Sequence, residues 1–375
     1  MTSPPLPRAK LDESGINTEA LKQAWAQFAI YDDTAKALKS SYIQARQRVV
    51  QLTLIGSIAA IGAGVVDTAN TSFGFLVYLL GFFAVAAPSL ASYILRDALQ
   101  FVGQTEWVHN RYIAERIRQQ IYYYRTKASD FAKKEDHETD DILAEKIREI
   151  RDEMRNKITL PPSVKLADIQ ANMEAELKAE AESGSGSKIG KRLGLLKFED
   201  YVKERVVDQI YWYERKVYDA FERRKSFFRA SQAALLIGAL IGAIVGIVRP
   251  EVILVIAITN AISESIMSWS DVTLTGATYS VFSLTSQKLN DMRLDNIVKQ
   301  TRAADDTTVE SDLHTTFINS VETILEWERN EWYEHVLRSQ ADIDDRITKQ
   351  LDKYLKSQDE TGDLVAVSDE AESEE

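Results

Sequence analysis

The chain has no cysteine among its 375 residues. Disulfides, thiol nucleophiles and thiolate metal sites are thereby excluded. Histidine is scarce: His109, His137, His314 and His335 are scattered without ligand spacing, so no metal site is expected. A phosphate loop, a dinucleotide fingerprint and a nucleophile elbow are all missing, and neither catalysis nor a cofactor is expected. No signal peptide is expected, because the first apolar run begins at residue 49 and the start, MTSPPLPRAK, is polar and Pro-rich. The formal net charge of −12 argues against general nucleic-acid binding. Part of that charge lies in SQDETGDLVAVSDEAESEE, which has eight acids and no base. Residues 358–375 therefore read as a disordered acidic tail, and residues 1–16 as a disordered N-terminal one.

Charge is missing where it matters most. With 27% charged and 45% hydrophobic residues, the averages resemble a soluble protein, but the distribution does not. Residues 49–66, 68–95 and 230–248 carry no charge, and 252–268 carries only Glu264. About 20 apolar residues cross a bilayer core as a helix, with roughly 17 as the lower limit. All four runs qualify, in two closely spaced pairs, which predicts membrane helices over 49–66, 73–95, 230–248 and 251–268. The fold class expected is an all-α integral membrane protein. Long helices extend the two hairpins into a cytoplasmic helical bundle with coiled-coil character.

Basic residues orient the hairpins. Lys36, Lys39, Arg46 and Arg48 precede the first run, Arg96 closes the second, and Arg223, Arg224, Lys225 and Arg229 precede the third. The opposite connections, DTANT and RP, are short and nearly neutral, with Arg249 as the one dissenting charge. The positive-inside rule places both termini and residues 97–229 in the cytoplasm of a multi-pass inner or plasma membrane protein. Tyr93 and Trp269 fall at inner ends, where interfacial aromatics are expected. Pro250 suits a tight reversal.

An internal repeat emerges at an offset of 182 residues: Gly56 falls on Gly238, Ala60 on Gly242 and Gly64 on Gly246. The same register sets QFAIY (27–31) on QIYWY (209–213). This reads as a duplicated unit of amphipathic helix, two-helix hairpin and return helix. The first repeat covers 17–130 and the second 196–357. The segments WVHNRYIAERIRQQIYYYR (107–125) and FINSVETILEWERNEWYEHV (317–336) read as the two return helices. Between the repeats, 131–195 reads as a cytoplasmic connector of two helices flanking Pro161-Pro162, followed by the flexible linker SGSGSKIG.

The pattern resembles the SLATT family of two-transmembrane effector domains from nucleotide-sensing bacterial conflict systems. The residues that carry the resemblance are YVKERVVDQIYWYERKVYDAFERRK (201–225), the glycine-rich pair with its Arg249-Pro250 turn, and the helix around Glu322, Trp327, Glu328 and Trp332. The first copy is diverged and keeps WVHNRYIAERI. The resemblance implies membrane perforation when an upstream sensor fires, and it implies no catalytic residues. This chain differs in carrying two copies and no recognisable sensor.

Candidate functional residues lie inside the apolar runs. The small-residue rows Gly56, Ala60, Gly64 and Gly238, Gly242, Gly246 each mark one helix face built for close approach, because apolar burial gives no drive for association in lipid. Packing inside one chain and packing between copies around a pore both satisfy the pattern. Glu264, with Asn260 one turn earlier, is a costly group to bury in a bilayer, at ~3 kcal/mol near its centre. It reads as a snorkelling or hydrogen-bonded carboxylate, or as a polar pore lining or cation site. The same offset puts Phe82 and Tyr78 at these positions in the first repeat. The clusters Tyr122–Tyr124 and Tyr211–Tyr213 read as helix-packing aromatics. Arg223, Arg224 and Lys225 suffice as topology signals, and the many acids and bases of the long helices read as solvated faces. Two functions fit: an oligomeric pore or channel-like effector gated by the cytoplasmic bundle, or a non-conducting scaffold that docks a cytoplasmic protein. Both imply a lipid bilayer and a homo-oligomer as partners, and neither implies nucleic acid.

Overall fold

The computed structural model describes residues 18–68, 74–97, 105–132, 134–158, 193–245, 253–272, 275–303 and 312–339, with isolated positions within 168–175 and 345–349. Both terminal tails, the two hairpin turns, Gly246 and most of the second connector helix with its linker lie outside the described residues. All the regular elements among the described residues are helices. They are α1 (Thr18–Thr68), α2 (Gly74–Asp97), α3 (Glu106–Thr126) and α4 (Asp136–Met154). Phe198–Tyr201, the π-helical turn Val202–Val207 and Asp208–Val245 then run on without a break and together form α5. Next come α6 (Ile253–Val272), α7 (Thr275–Ala303) and α8 (residues 312–339).

The chain divides into two compact units, one of Met1–Tyr42, Phe101–Glu222 and Gly276–Glu334, the other of Ile43–Gln100, Arg223–Thr275 and His335–Glu375. Each draws on both halves of the sequence.

In the first unit, α3 is the hub. It runs antiparallel to the start of α1, where Asp32 pairs with Arg111 and the Lys39 ammonium lies 4.7 Å from the centre of the Trp107 ring. Lys127 then takes a left-handed φ of 51°, ends α3 and turns the chain back. The returning α4 lies along α3, with Tyr124 Oη donating to Asp140 at 2.6 Å and Arg116 paired with Glu153. After the connector, the chain rejoins the C-terminal end of α3, where the Leu196 N–H donates to the Arg125 carbonyl at 2.8 Å. A large apolar core then forms around Tyr201, Val206, Ile210, Tyr213, Phe282, Leu289, Val321 and Leu325.

One expectation changes here. Sequence similarity sets α3 beside 317–336 as equivalent return helices. In the structure α3 and α8 pack antiparallel on each other, Trp107 against Trp332 and Gln119 against Glu322. The helix that follows the second hairpin is α7, and it packs on α5 much as α3 packs on α1. Phe221 meets Tyr279, and the Asn290 amide donates to Glu214. Glu214 and Phe221 lie 182 residues after Asp32 and Lys39, so at the offset of the expected repeat α7 takes the place of α3. The likeness between α3 and α8 arises because both are half-buried and rich in aromatics and charges, a pattern that reports burial and not chain direction.

In the second unit, α2 contributes Phe75–Leu95, which among the described residues is the helix long and apolar enough to cross a membrane. Its outer face is aromatic, with Phe75 79% and Tyr78 81% exposed. The small residues of α1 face α2. A Cβ added at Gly56 would lie 2.7 Å from the Pro88 ring, Ala59 is buried, and a Cβ at Gly62 would touch Leu80 at 3.4 Å. Ala60 is exposed instead. A row spaced by four drifts by about 40° per step on a 3.6-residue helix, so the contact line moves to Ala59 after one turn. In the other pair, a Cβ at Gly238 would fall 2.8 Å from Thr259 Cβ. Gly64 and Gly242 lie within α1 and α5.

These contacts predict a graded response to the smallest substitution. Gly238→Ala and Gly56→Ala should each destabilise by about 1–3 kcal/mol, because Thr259 Cβ and the Pro88 ring are fixed to their backbones. Gly81→Ala, whose Cβ would meet nothing within 4 Å, should be neutral or better. Thermal unfolding of the full chain in detergent checks the order, and equal tolerance of Gly238→Ala and Gly81→Ala would refute it.

Candidate functional site

In α6 the polar side chains divide between two faces. Thr259 and Ser263 are buried, and the Ser263 hydroxyl shares a 2.6 Å hydrogen bond with Ser231 of α5. Asn260 and Glu264 are exposed on a second face about a quarter turn round the helix, with Met267 one turn further on. Neither Asn260 nor Glu264 makes a side-chain hydrogen bond or ion pair with any described residue. The structure therefore brings the two sequence-predicted polar residues together on one outward face, with no partner for either among the described residues.

A second constellation, in the first unit, is absent from the sequence reading. Glu322 of α8 is fully buried and accepts from Arg205 through both oxygens, at 2.9 and 3.0 Å. The Tyr201 hydroxyl donates to the same carboxylate at 3.0 Å. The Arg205 guanidinium also lies over the Tyr122 ring, 4.6 Å from its centre. Arg205 sits in the π-helical turn, whose wider winding sets Tyr201, Arg205 and Val206 all inward. Gln119 of α3 closes the network: its amide donates to the Glu322 backbone carbonyl at 3.3 Å and accepts from Arg329 at 3.1 Å.

Beside this pair lie two carboxylates with opposite surroundings. Glu115 contacts Arg111 at 2.5 Å and Arg118 at 3.6 Å. Burial works to raise its pKa, but Arg111, Arg118, Arg205 and Arg329 overcome that and hold it at about 2. Glu328 is pushed up to about 7, first by burial and then by the Glu115 charge, against the pull of Tyr213, Arg329 and Arg111. Burial and then the Glu322 charge raise the Tyr201 phenol well above its usual value, so it remains a donor.

The other sequence candidates resolve into packing. Tyr122, Tyr124 and Tyr213 are buried, while Tyr211 is 65% exposed. His109 shares a 2.9 Å hydrogen bond with Tyr333, and His314 stacks on Phe198 at 3.7 Å. The long helices are not simply solvated faces, since Arg205, Glu322, Arg125 and Arg329 are all buried. A signal did exist. Tyr201 and Arg205 are one helical turn apart, beside Val206 and Ile210, and Glu322 follows Val321 in an apolar row. Nothing local joins the two stretches, which lie 117 residues apart.

Residues 201–332 match the family described as SMODS and SLOG-associating 2TM effector domain 1. Residues 32–139 match a family described as a protein of unknown function, DUF4231. No curated protein and no solved structure matches the chain. The first match takes in Arg205 and Glu322, and the second takes in Asp32 and Arg111. The similarity of the second half to a two-transmembrane effector domain supports membrane association and a membrane effector role for the chain.

Two outcomes test the buried charges. Glu322→Leu leaves Arg205 without its counter-ion and should cost about 3–5 kcal/mol, whereas the double change with Arg205→Met should recover most of that loss. A single variant as stable as the parent would remove the pair from its structural role. For Glu328 the folded-state pKa lies above the value of about 4.3 for an unfolded Glu, so the folded state binds the extra proton. Its contribution to stability is then present below pH 4.3 and lost as pH rises to about 7. Glu328→Gln should flatten the fall in melting temperature over that window, and an unchanged fall would show that Glu328 is not its source.

Proposed function

We propose that the chain is an oligomeric membrane effector that passes ions along a path lined by α6 and is gated by its cytoplasmic helical unit. In this reading four helical segments cross the bilayer as two hairpins that arose by tandem duplication, with both termini in the cytoplasm. The protein acts by perforation and not by catalysis. The observation that carries the reading is the outward pair Asn260 and Glu264, an amide and a carboxylate exposed on one face of a mainly apolar helix. Lipid is a poor neighbour for either group, and water or another protein is a good one. The match of the second half to a two-transmembrane effector domain supports the same role.

A non-conducting scaffold is the second reading. It is favoured by the exposed aromatics Tyr211 and Tyr218, 65% exposed each, seven residues apart on α5. They offer a cytoplasmic partner an amphipathic helix face to dock on.

Planar-bilayer recording of the reconstituted protein separates the two. The pore reading expects cation-preferring current, and Glu264→Gln should lower that preference while assembly survives. Absence of current under all conditions leaves the scaffold. Current unchanged by Glu264→Gln would place the path elsewhere than α6.

A further inference from the structure

The outward faces of α2 and α6 differ in chemistry at matched positions. Three positions of α6, Asn260, Glu264 and Met267, are exposed. Their counterparts 182 residues earlier, Tyr78, Phe82 and Val85, are exposed as well, at 81%, 64% and 51%. The two helices thus present the same three positions outward with opposite chemistry. On α2 the face is aromatic and aliphatic, and the Tyr78 hydroxyl is the one polar group among these three positions. On α6 the face carries an amide and a carboxylate, each without a partner among the described residues.

We propose that α6, and not α2, is the surface through which copies of this chain meet in the membrane, with Asn260 as the self-complementary contact. The proposal rests on reading α6 as membrane-embedded, and not on conduction. Glu264 lies five residues from Trp269, about 7 Å along the helix axis, within reach of the bilayer edge for a long side chain. Asn260 lies nine residues away, roughly 13 Å, and its short side chain cannot make that reach. It needs a hydrogen-bonding neighbour at its own depth. Copies inserted with one topology are parallel, so a rotational symmetry axis along the membrane normal brings identical residues to equal depth. An amide is both donor and acceptor and can pair with its own kind, as a polar Asn in an apolar helix seam does when it sets register. A second copy of this chain supplies that amide.

The absence of native cysteine makes the test direct. Single variants Met267→Cys on α6 and Val85→Cys on α2 change exposed residues at matched positions. They are oxidised in native membranes with copper phenanthroline. Disulfide-linked dimer is expected from Met267→Cys at several-fold the yield from Val85→Cys. Adding Asn260→Leu to Met267→Cys should lower that yield several-fold, while monomer melting temperature in detergent stays level. Equal or greater yield from Val85→Cys, a purely monomeric Met267→Cys, or indifference to Asn260→Leu would each overturn the proposal. Cross-linking through Met267 in a protein that carries no current keeps this interface and removes only the pore reading.

Discussion

The first unit is organised around one buried ion pair. Arg205 and Glu322 have left water almost completely, and desolvating two charges costs several kcal/mol per ion before any attraction is counted. The geometry recovers that cost only because every polar edge is used. Two guanidinium nitrogens meet two carboxylate oxygens, the Tyr201 hydroxyl adds a third bond, and the Tyr122 ring covers the cation. Such a pair adds little net stability over a well-packed apolar substitute, but it tolerates almost no displacement. Its value is therefore positional. It fixes the winding of the π-helical turn, and hence which residues of α5 face α8. Through the Gln119 amide, bonded at 3.3 Å to the Glu322 carbonyl and at 3.1 Å to Arg329, it also fixes α3 against α8.

The neighbouring carboxylates follow from the same crowding. Once Arg111, Arg118, Arg205 and Arg329 surround Glu115, its charge is secured, and that fixed charge then presses on Glu328. One acid is held ionised and the other titrates near pH 7 because their neighbours differ, since both are half-buried. The expected loss of stability between about pH 4.3 and about 7 thus comes from a residue that looks, in sequence, like an ordinary surface acid.

What was legible in the sequence follows from what is local. The apolar runs and the helices that contain them are written in charge-free stretches and small-residue spacing, and the close approaches at Gly56 and Gly238 lie where those rows begin. Asn260 and Glu264 stood out for the same reason: a polar residue in an apolar run needs no partner to be noticed. The buried pair was not legible, because Arg and Glu on a long helix signify solvent unless the partner helix is known, and that partner lies 117 residues away. The direction of α8 was lost for a related reason. Composition and period identify a half-buried helix, but they are unchanged when the helix is reversed.

The two units also handle polarity by opposite rules, and the contrast bears on assembly. In the first unit a fully buried carboxylate is matched atom for atom by donors from its own chain. In α6 the inward face obeys that rule, with Ser263 bonded to Ser231 and Thr259 set against Gly238, while the outward face does not. A polar side chain on an apolar helix that is left unmatched inside its own chain lowers the free energy of whatever matches it from outside. At the positions 182 residues earlier α2 carries Tyr78, Phe82 and Val85, with neither an amide nor a carboxylate. An amide and a carboxylate there are consequently not demanded by the helix or by its hairpin. If α6 is embedded as proposed, they favour an assembled state in which another molecule supplies the missing hydrogen bonds, and a parallel copy presenting the same amide at the same depth is the simplest molecule that can.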